Sequence, residues 1–426
     1  MSASFPLYVH IPFCVSKCSY CDFFSVPCAE KIADEYIDAV LTEAAFTASL
    51  CDIDSWKTIY VGGGTPSLLS EKQIDFLFSG LLKMSRRAPL EVTMEANPSD
   101  VTESFLDAAS ASGVTRISCG IQSFNDASLC RVRRRSRADD VYRALSLFDK
   151  NWPHSLSVDM IARLPEETDA SFASGLQTLI AHAPDHISLY SLTVEEGTPL
   201  CTEIEKGNIL HDIDASDVLW ISGRDLLCGA GYEQYEVSNF CKKGSECLHN
   251  LAYWDLESYA GIGAGAVGTF YGKDVSVRLT NTRDIGSYVR FWKSKKIDAD
   301  DLRAPAFLSE DFRTVQLRAE QREKKRTAQA CAERERKFAE LPFSVEYIDK
   351  KTEAFEFFMM GLRMTRGISR QSYEARFGAF PEKAEALFTA WEERGLALRY
   401  EKKGERFYAL TEQGLLFLND FLEALL

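Results

Sequence analysis

Short β-rich runs, with apolar residues at many alternate positions, alternate with longer amphipathic stretches along the first half of the chain. The runs, each of strand length, are Leu7–Ile11, Thr58–Val61, Leu90–Glu95, Arg116–Cys119, Ser155–Ile161 and His186–Leu192. The stretches that repeat apolar residues at helical spacing are Ile32–Leu50, Glu71–Met84, Glu103–Ala111, Asp139–Asp149 and Asp169–His182. Strands alternating with helices indicate βα units around a parallel sheet. The pattern predicts an α/β fold in which residues 1–200 form six units, too few for a closed eightfold barrel.

The pattern changes beyond residue 200. A long helical stretch, Ala215–Cys228, is followed by a short run at Tyr232–Val237 and a segment rich in glycine and aromatic residues from Leu248 to Tyr271. We expect residues 201–305 to form an α+β extension that covers the open side of the partial barrel. Residues 306–350 are mostly polar and mixed in charge, which is typical of a solvated helix or a linker.

Residues 351–426 predict a small separate domain. Three helical patterns precede two short runs, which are separated by Lys402-Lys403-Gly404. Helices followed by a hairpin are winged-helix-like, an arrangement that often binds DNA. From Ala354 to Leu426, however, ten Lys and Arg stand against eleven Asp and Glu. A nucleic-acid binder needs a positive surplus, so we expect no nucleic-acid partner.

Composition narrows the class further. The 426 residues contain 46% hydrophobic and 26% charged residues, with a formal charge of −14, as in ordinary soluble domains. No apolar stretch reaches the roughly 18 residues of a membrane span. The first residues lack a signal-peptide pattern, so we interpret the twelve cysteines as thiols in a reducing cytoplasm.

Three of these cysteines form the strongest chemical signal. Cys14, Cys18 and Cys21 follow the first predicted strand as C-x3-C-x2-C. Three thiolates on one loop can hold three irons of a [4Fe–4S] cube and leave the fourth iron open for a ligand. The alternatives are a zinc site or unrelated buried thiols, although zinc loops favour paired C-x2-C units. The other predicted strands also end in polar or glycine residues, where α/β barrels place their chemistry.

The sequence around the triplet, YVHIPFCVSKCSYCDFF, resembles the radical S-adenosylmethionine (SAM) superfamily. Five further blocks resemble its oxygen-independent coproporphyrinogen III oxidase-like family: GGGTPSLL at 62–69, MEANP at 94–98, ISCGIQSFND at 117–126, SVDMIARLPEET at 157–168 and HISLYSLTVEEGTP at 186–199. The resemblance implies a radical-SAM partial barrel with a [4Fe–4S] cluster and SAM. It also implies an electron donor, because the reduced cluster cleaves SAM to methionine and a 5′-deoxyadenosyl radical.

The resemblance also assigns site residues. Cys14, Cys18 and Cys21 match the cluster ligands. The positions that match the family's cofactor shell are Tyr8, Tyr20, Gly63, Gly64, Thr65, Glu95, Gln122, Arg134 and Asp159. Glycines after a strand allow backbone groups to approach a ligand, here the SAM amino group, and a carboxylate such as Glu95 can accept its hydrogen bonds. No catalytic residue is assigned.

Departures from the oxidase pattern favour the heme chaperone relatives within this family. The oxidase motif continues to a further cysteine two residues on, where this chain has Phe23, and the chain reaches Cys14 without the oxidase's longer amino-terminal extension. The segment HNLAYW, residues 249–254, matches the chaperones' HNxxYW block. Other departures are Arg163 and Glu167, which stand where the family usually has Gly and Gln, and the segment 264–267, which lacks a common histidine.

His249 leaves two interpretations open. A lone histidine is usually a hydrogen-bonded structural residue. Tyr253 and Trp254 beside it offer faces suited to a porphyrin, so a heme contact is an equal alternative. A second metal at Cys241 and Cys247 is disfavoured, because C-x5-C-x-H fits no common zinc pattern.

The leading prediction is therefore a cytoplasmic heme chaperone with a radical-SAM core, which delivers heme to an acceptor apoprotein. The alternative is radical oxidative decarboxylation of coproporphyrinogen III to protoporphyrinogen IX, an activity that we do not expect. A third hypothesis is a regulator that acts through the winged-helix-like tail.

Overall fold

One large open sheet organises the first two thirds of the protein. The computed structural model describes residues 3–28, 32–273, 275–295 and 342–426. The strands of the sheet in chain order are β1 (Ala3–Ile11), β2 (Ile53–Gly63), β3 (Glu91–Ala96), β4 (Arg116–Gln122), β5 (Ser155–Ala162), β6 (His186–Ser191), β7 (Glu233–Gln234), β8 (Asn239–Cys241) and β9 (Ala260–Ile262). Their spatial order is β9-β1-β2-β3-β4-β5-β6-β8-β7, and β1 to β6 run parallel. The described strands therefore form a partial barrel with two open edges, as predicted.

Helices follow most of the parallel strands. In chain order they are α1 (Asp34–Leu50), α2 (Glu71–Lys83), α3 (Glu103–Ala111), α4 (Asp126–Arg131), α5 (Ala138–Asn151), α6 (Asp169–Ala181), α7 (Pro199–Glu205), α8 (Ile213–Gly229), α9 (Leu248–Trp254) and α10 (Ile285–Ser294). Many begin at a side chain that accepts a backbone N–H, such as Thr102, Thr168 and Asp212. Such caps satisfy N–H groups that have no partner within the helix.

Alternate residues of the strands face two different surroundings. Positions such as Leu7, Val9, Ile59 and Val61 join the helices in the main apolar core. The residues between them, among them Tyr8, Thr58 and Tyr60, face the inside of the barrel and are mostly polar. This period of two is the expected behaviour of a pleated strand, and it gives the barrel a polar interior.

The extension contributes strands to the large sheet, because β9 pairs in parallel with β1, and β8 pairs antiparallel with β6. The extension therefore adds strands to both edges of the sheet. The covering role predicted for it stays a prediction. A second sheet, which is antiparallel, follows. It is built from β10 (Val267–Phe270), β11 (Ser276–Asn281) and β12 (Phe343–Ile348).

The carboxyl-terminal segment has the winged-helix-like order that the sequence predicts. Its elements are α11 (Lys350–Gly361), β13 (Ile368–Ser369), α12 (Arg370–Phe377), α13 (Glu382–Glu393), β14 (Ala397–Lys402), β15 (Glu405–Leu410), α14 (Glu412–Leu415) and α15 (Leu418–Leu425). Lys403 and Gly404 both have positive φ, 54° and 81°, as a tight two-residue hairpin requires. The segment has its own apolar core, which Leu256 of the extension joins.

Part of the predicted linker, residues 306–341, lies outside the described residues, and so does Cys331. The boundaries at 200, 305 and 350 stay predictions. Among the described residues, no helix is both long and apolar enough to cross a bilayer.

Candidate cofactor site

The cysteine triplet lies at the mouth of a cavity inside the partial barrel. The loop leaves β1 and is held by a small parallel pairing of Phe13–Cys14 with Val26–Pro27, extended by a hydrogen bond from the Cys28 N–H to the Cys14 carbonyl. Cys14, Cys18 and Cys21 are half-buried and line the cavity, whose volume is 430 Å³. Ligand sites typically have volumes of about 300–1,000 Å³, so this cavity has the size of one.

The three thiols line one cavity. In a [4Fe–4S] cube each cysteine binds a different iron, so the three sulfurs need not converge on one point. Within the described residues, no group of three or more His, Cys, Asp or Glu side chains is close enough to hold one metal ion together. The cysteine loop at this cavity is compatible with a three-cysteine cluster site.

Two side chains donate hydrogen bonds to these sulfurs. Thr65 Oγ1 lies 3.5 Å from Cys14 Sγ, and Arg134 Nη1 lies 3.6 Å from Cys18 Sγ. Burial raises the pKa of the Cys21 thiol. Donors next to sulfur ligands stabilise negative charge on a cluster.

The glycine turn at the end of β2 is required by close packing. Gly63 has a φ of 114°, and a Cβ there would lie 2.4 Å from the His10 ring. A Cβ on Gly64 would lie 2.6 Å from the Phe13 carbonyl oxygen. Both N–H groups are already bonded, Gly63 to Glu95 and Gly64 to the Ile11 carbonyl. An ammonium ligand here would therefore meet carbonyl oxygens, which are acceptors.

Two half-buried carboxyl groups, those of Glu95 and Asp159, line the cavity. Glu95 accepts hydrogen bonds from the Tyr60 hydroxyl at 2.9 Å and from the Gly63 N–H at 3.0 Å. Burial raises the pKa of Glu95 to about 7. Asp159 accepts from the Ser118 hydroxyl at 3.3 Å, and burial raises its pKa as well. Polar groups of a ligand in the cavity could donate further hydrogen bonds to both carboxyl groups.

Gln122 and Arg134 carry polar atoms without a protein partner. Gln122 lies at an irregularity of β4 with a φ of 69°, and its buried Oε1 accepts no hydrogen bond within the described chain. Arg134 bonds to Cys18 and the Gly120 carbonyl, while its buried Nε has no partner among the described residues. Buried polar atoms of this kind normally have a partner, so both indicate a polar ligand in the cavity.

Two of the predicted residues lie behind the cavity wall. Tyr8 stacks on Tyr60 with ring centroids 6.2 Å apart and donates to His10 Nδ1, since His10 Nε2 donates to the Phe24 carbonyl. His249 is 1% exposed and stacks on Tyr60, which lines the cavity, with ring centroids 5.2 Å apart. The other predicted residues, Tyr20 among them, line the cavity itself.

Both ring nitrogens of His249 are engaged in this conformation. Nδ1 lies 2.8 Å from the Thr58 hydroxyl and Nε2 lies 2.9 Å from the Tyr253 hydroxyl. Burial lowers the pKa of His249 to about 3, so the ring is neutral. The heme contact of His249 stays a prediction, and it requires one of these hydrogen bonds to open.

Sequence reasoning missed the polar floor of the barrel. Glu91 and Arg116, each 5% exposed, form an ion pair at 3.0 Å. Glu91 also accepts the N–H of His249, and Arg116 donates to the carbonyls of Ser245 and Glu246. The pair anchors α9 under the cavity. A usable signal existed, because polar residues recur at every second position of the strands.

Arg163 and Glu167, which stand where the family usually has Gly and Gln, have a local structural explanation. Arg163 has a φ of 67°, a conformation that costs little only for glycine, the residue usual in the family. Glu167 accepts the Arg163 N–H at 3.0 Å and the Ser123 hydroxyl at 2.7 Å. Burial raises the pKa of Glu167 to about 7. Glu167 thus holds the turn in its left-handed form.

The fold and the site define a radical SAM protein. Residues 8–179 match the Radical SAM superfamily, and residues 348–417 match the HemN C-terminal domain. The heme chaperone HemW of Escherichia coli (strain K12) is 32% identical over 426 residues, covering 99% of this chain and 97% of that protein. The chain belongs to this HemW family. Membership implies a [4Fe–4S] cluster and SAM.

Two further comparisons agree with this assignment. The mitochondrial radical S-adenosyl methionine domain-containing protein 1 of Mus musculus is 37% identical over 266 residues, 62% of this chain and 60% of that protein. The structure of coproporphyrinogen III oxidase (HemN) from Escherichia coli superposes with a TM-score of 0.71 at 17% identity, covering 99% of this chain and 90% of that one. This last likeness establishes the fold.

Proposed function

We propose that the protein is a heme chaperone, which binds heme and passes it to an acceptor protein, and that its radical-SAM core carries a cluster and SAM. The observation that carries the proposal is the full-length similarity to a heme chaperone of the same family. Phe23 supports it: this residue stands where the oxidase pattern has a further cysteine, and it is 67% exposed at the cavity mouth.

The cofactor residues fall into two groups. Cys14, Cys18 and Cys21 would hold the cluster through three irons. Tyr8, Tyr20, Gly63, Gly64, Thr65, Glu95, Gln122, Arg134 and Asp159 would bind SAM or position the side chains that do. When bound, the pair supplies one-electron cleavage of SAM. The chain itself contributes two carboxyl groups whose pKa values burial raises, that of Glu95 to about 7, and hydrogen-bond donors at the thiols.

Heme binding is the first test. Heme is titrated anaerobically into the protein while the Soret band is followed, and the loaded protein is then mixed with an apoprotein that lacks heme. We expect saturable binding followed by transfer. The Cys14/Cys18/Cys21→Ala variant separates heme binding from the cluster. A wild-type protein that gives no saturable Soret change contradicts the proposal.

The oxidase alternative is tested in the same preparation. The protein is incubated anaerobically with coproporphyrinogen III, SAM and a reductant, and the products are separated by chromatography. We expect no protoporphyrinogen, because Phe23 replaces the further cysteine of the oxidase motif. Product formed over many turnovers would make the alternative correct.

The remaining parts of the proposal concern location and partners. We propose a cytoplasmic protein that meets a heme-acceptor apoprotein and an electron donor for its cluster. Fractionation of cells that express a tagged chain tests the location, and cross-linking of the heme-loaded protein tests the acceptor.

A further inference from the structure

Arginines are concentrated in one segment of a chain whose formal charge is −14. Six of them lie between residues 131 and 143. Arg131, Arg133 and Arg137 are exposed, so their charges face solvent. The segment forms a local basic patch on an acidic protein.

This patch lies directly beside the cysteine loop. The Ser19 N–H donates to the Val132 carbonyl at 3.0 Å, and Arg134 Nη1 lies 3.6 Å from Cys18 Sγ. Arg133 therefore stands between two residues that both contact the loop. The loop adds a cation of its own, Lys17, which is exposed.

The backbone turns Arg133 outward at some cost. Its φ is 55°, in the left-handed region that a long side chain seldom adopts. Within the described part of the chain, its guanidinium makes no hydrogen bond or ion pair, so its charge is free to meet a partner. Such strained positions often mark functional surfaces.

Nearby carboxylates compensate only part of the charge. Glu166 lies 3.9 Å from Arg131, and these side chains are 58% and 38% exposed. An exposed pair of this kind is weak. Asp22 and Asp139 are exposed as well, and Asp126 accepts the Ala138 N–H next to Arg137, whereas the Arg133 guanidinium has no carboxylate partner among the described residues.

We propose that Lys17, Arg131, Arg133 and Arg137 form the docking surface for an acidic one-electron carrier protein that reduces the cluster. The inference rests on the proposed radical-SAM core. One electron leaves the reduced carrier and enters the oxidised cluster, and no bond forms or breaks. The rest of this acidic chain repels an acidic carrier, so the patch both attracts it and orients it toward the cysteines. Nucleic acid is the competing occupant, but the patch is small and the whole chain is negative.

The test measures cluster reduction by stopped flow under anaerobic conditions. Reduced flavodoxin is the acidic protein probe, and dithionite is the small reductant. The variants are Arg133→Glu and the matched Lys403→Glu, which makes the same charge change at an exposed residue of positive φ in the hairpin between β14 and β15. We expect Arg133→Glu to slow reduction by flavodoxin about tenfold at low ionic strength. The rate of reduction of Lys403→Glu by flavodoxin should stay near the wild-type rate. The rates of reduction by dithionite should also stay near wild type in both variants.

Salt gives the second readout. The wild-type rate with flavodoxin should fall as ionic strength rises, and the gap to Arg133→Glu should close, because salt screens exposed charges. Equal flavodoxin rates in wild type and Arg133→Glu at low salt would overturn the docking surface. If Arg133→Glu also slows cluster reduction by dithionite, the salt dependence of the wild-type rate with flavodoxin decides instead. A wild-type rate that does not change with salt would then overturn the docking surface. A cluster that does not form in wild type would contradict the radical-SAM core itself.

Discussion

The Arg134 guanidinium lies within hydrogen-bonding reach of the Cys18 thiol, a proposed cluster ligand, with Nη1 3.6 Å from Sγ. A cation at this position stabilises the reduced, more negative cluster. We expect Arg134→Gln to shift the midpoint potential of the reconstituted cluster to a more negative value. The measurement is a redox titration followed by paramagnetic resonance without SAM. Arg135→Gln is the control, because Arg135 pairs with Asp100 instead. Equal potentials in Arg134→Gln and wild type would remove Arg134 from the cluster's surroundings.

The proposed cluster ligands give the second prediction. Replacing Cys14, Cys18 and Cys21 together with Ala should abolish the iron–sulfur absorption and leave the chain folded, because the three side chains are only half-buried. Iron content, visible absorption and circular dichroism measure this. Cys228→Ala, at an exposed cysteine, is the matched control and should keep its iron. A full complement of iron in the triple variant would contradict the assignment.

Gly265 gives a prediction about how the loop is positioned. A Cβ there would lie 2.4 Å from Phe24 Cδ1, and Phe24 stacks on His10 just after the cysteine loop. Gly265→Ala should displace Phe24, lower cluster occupancy and destabilise the fold by about 2–4 kcal/mol. Gly395→Ala separates strain from collision, because its φ of 72° is similar to the 80° of Gly265 and its Cβ would meet nothing within 4 Å. It should cost about 1 kcal/mol and keep the cluster. Similar losses in both variants would mean that contact with Phe24 is unimportant.

Glu43 predicts a pH dependence of stability. Its buried carboxyl group accepts hydrogen bonds from Gly263, Asn281 and Tyr288, and burial raises its pKa to about 7. The folded chain therefore holds a proton that the unfolded chain releases near pH 4.5, so this stabilisation is complete below pH 4.5 and lost as pH rises through 7. The unfolding free energy of wild type relative to Glu43→Gln should fall by about 3 kcal/mol between these pH values. Urea unfolding of both proteins at pH 4.5, 6 and 8 measures it. A constant difference across this range would show that Glu43 keeps an ordinary pKa.

The sequence predicts the six parallel strands well because their apolar runs face one continuous core, and a pleated strand makes that pattern visible. Arg116–Cys119, for example, lies wholly within the observed Arg116–Gln122. The three cysteines, Glu95 and Asp159 were predicted to belong to one site because strand ends and motifs mark them. They line the same cavity, and their binding roles stay predictions. The floor pair Glu91 and Arg116 was missed. The alternation along each strand marks both positions as polar and inward-facing, but their pairing depends on strand register, which a single run does not reveal.

The extension was harder to predict for a related reason. Its short strands Ala260–Ile262 and Asn239–Cys241 pair with opposite edges of the sheet. Strands of three residues carry almost no periodic signal, and their placement depends on long-range contacts. The same limit applies to His249: the motif locates it, but only the packing of α9 shows that both of its nitrogens are bonded.

Heme ligation by His249 can be tested because Tyr253 holds the imidazole Nε2 at 2.9 Å. If His249 ligates heme iron, that hydrogen bond must break first, so Tyr253→Phe should free the nitrogen and raise heme affinity several-fold. His249→Ala should then lower the affinity and shift the Soret band. If His249 is structural, Tyr253→Phe should leave the heme titration unchanged, and His249→Ala should destabilise the barrel floor, where the ring also bonds to Thr58 at 2.8 Å. Heme titrations and urea unfolding of the two variants separate these outcomes. Unchanged affinity and spectrum in both variants would remove His249 from the heme site.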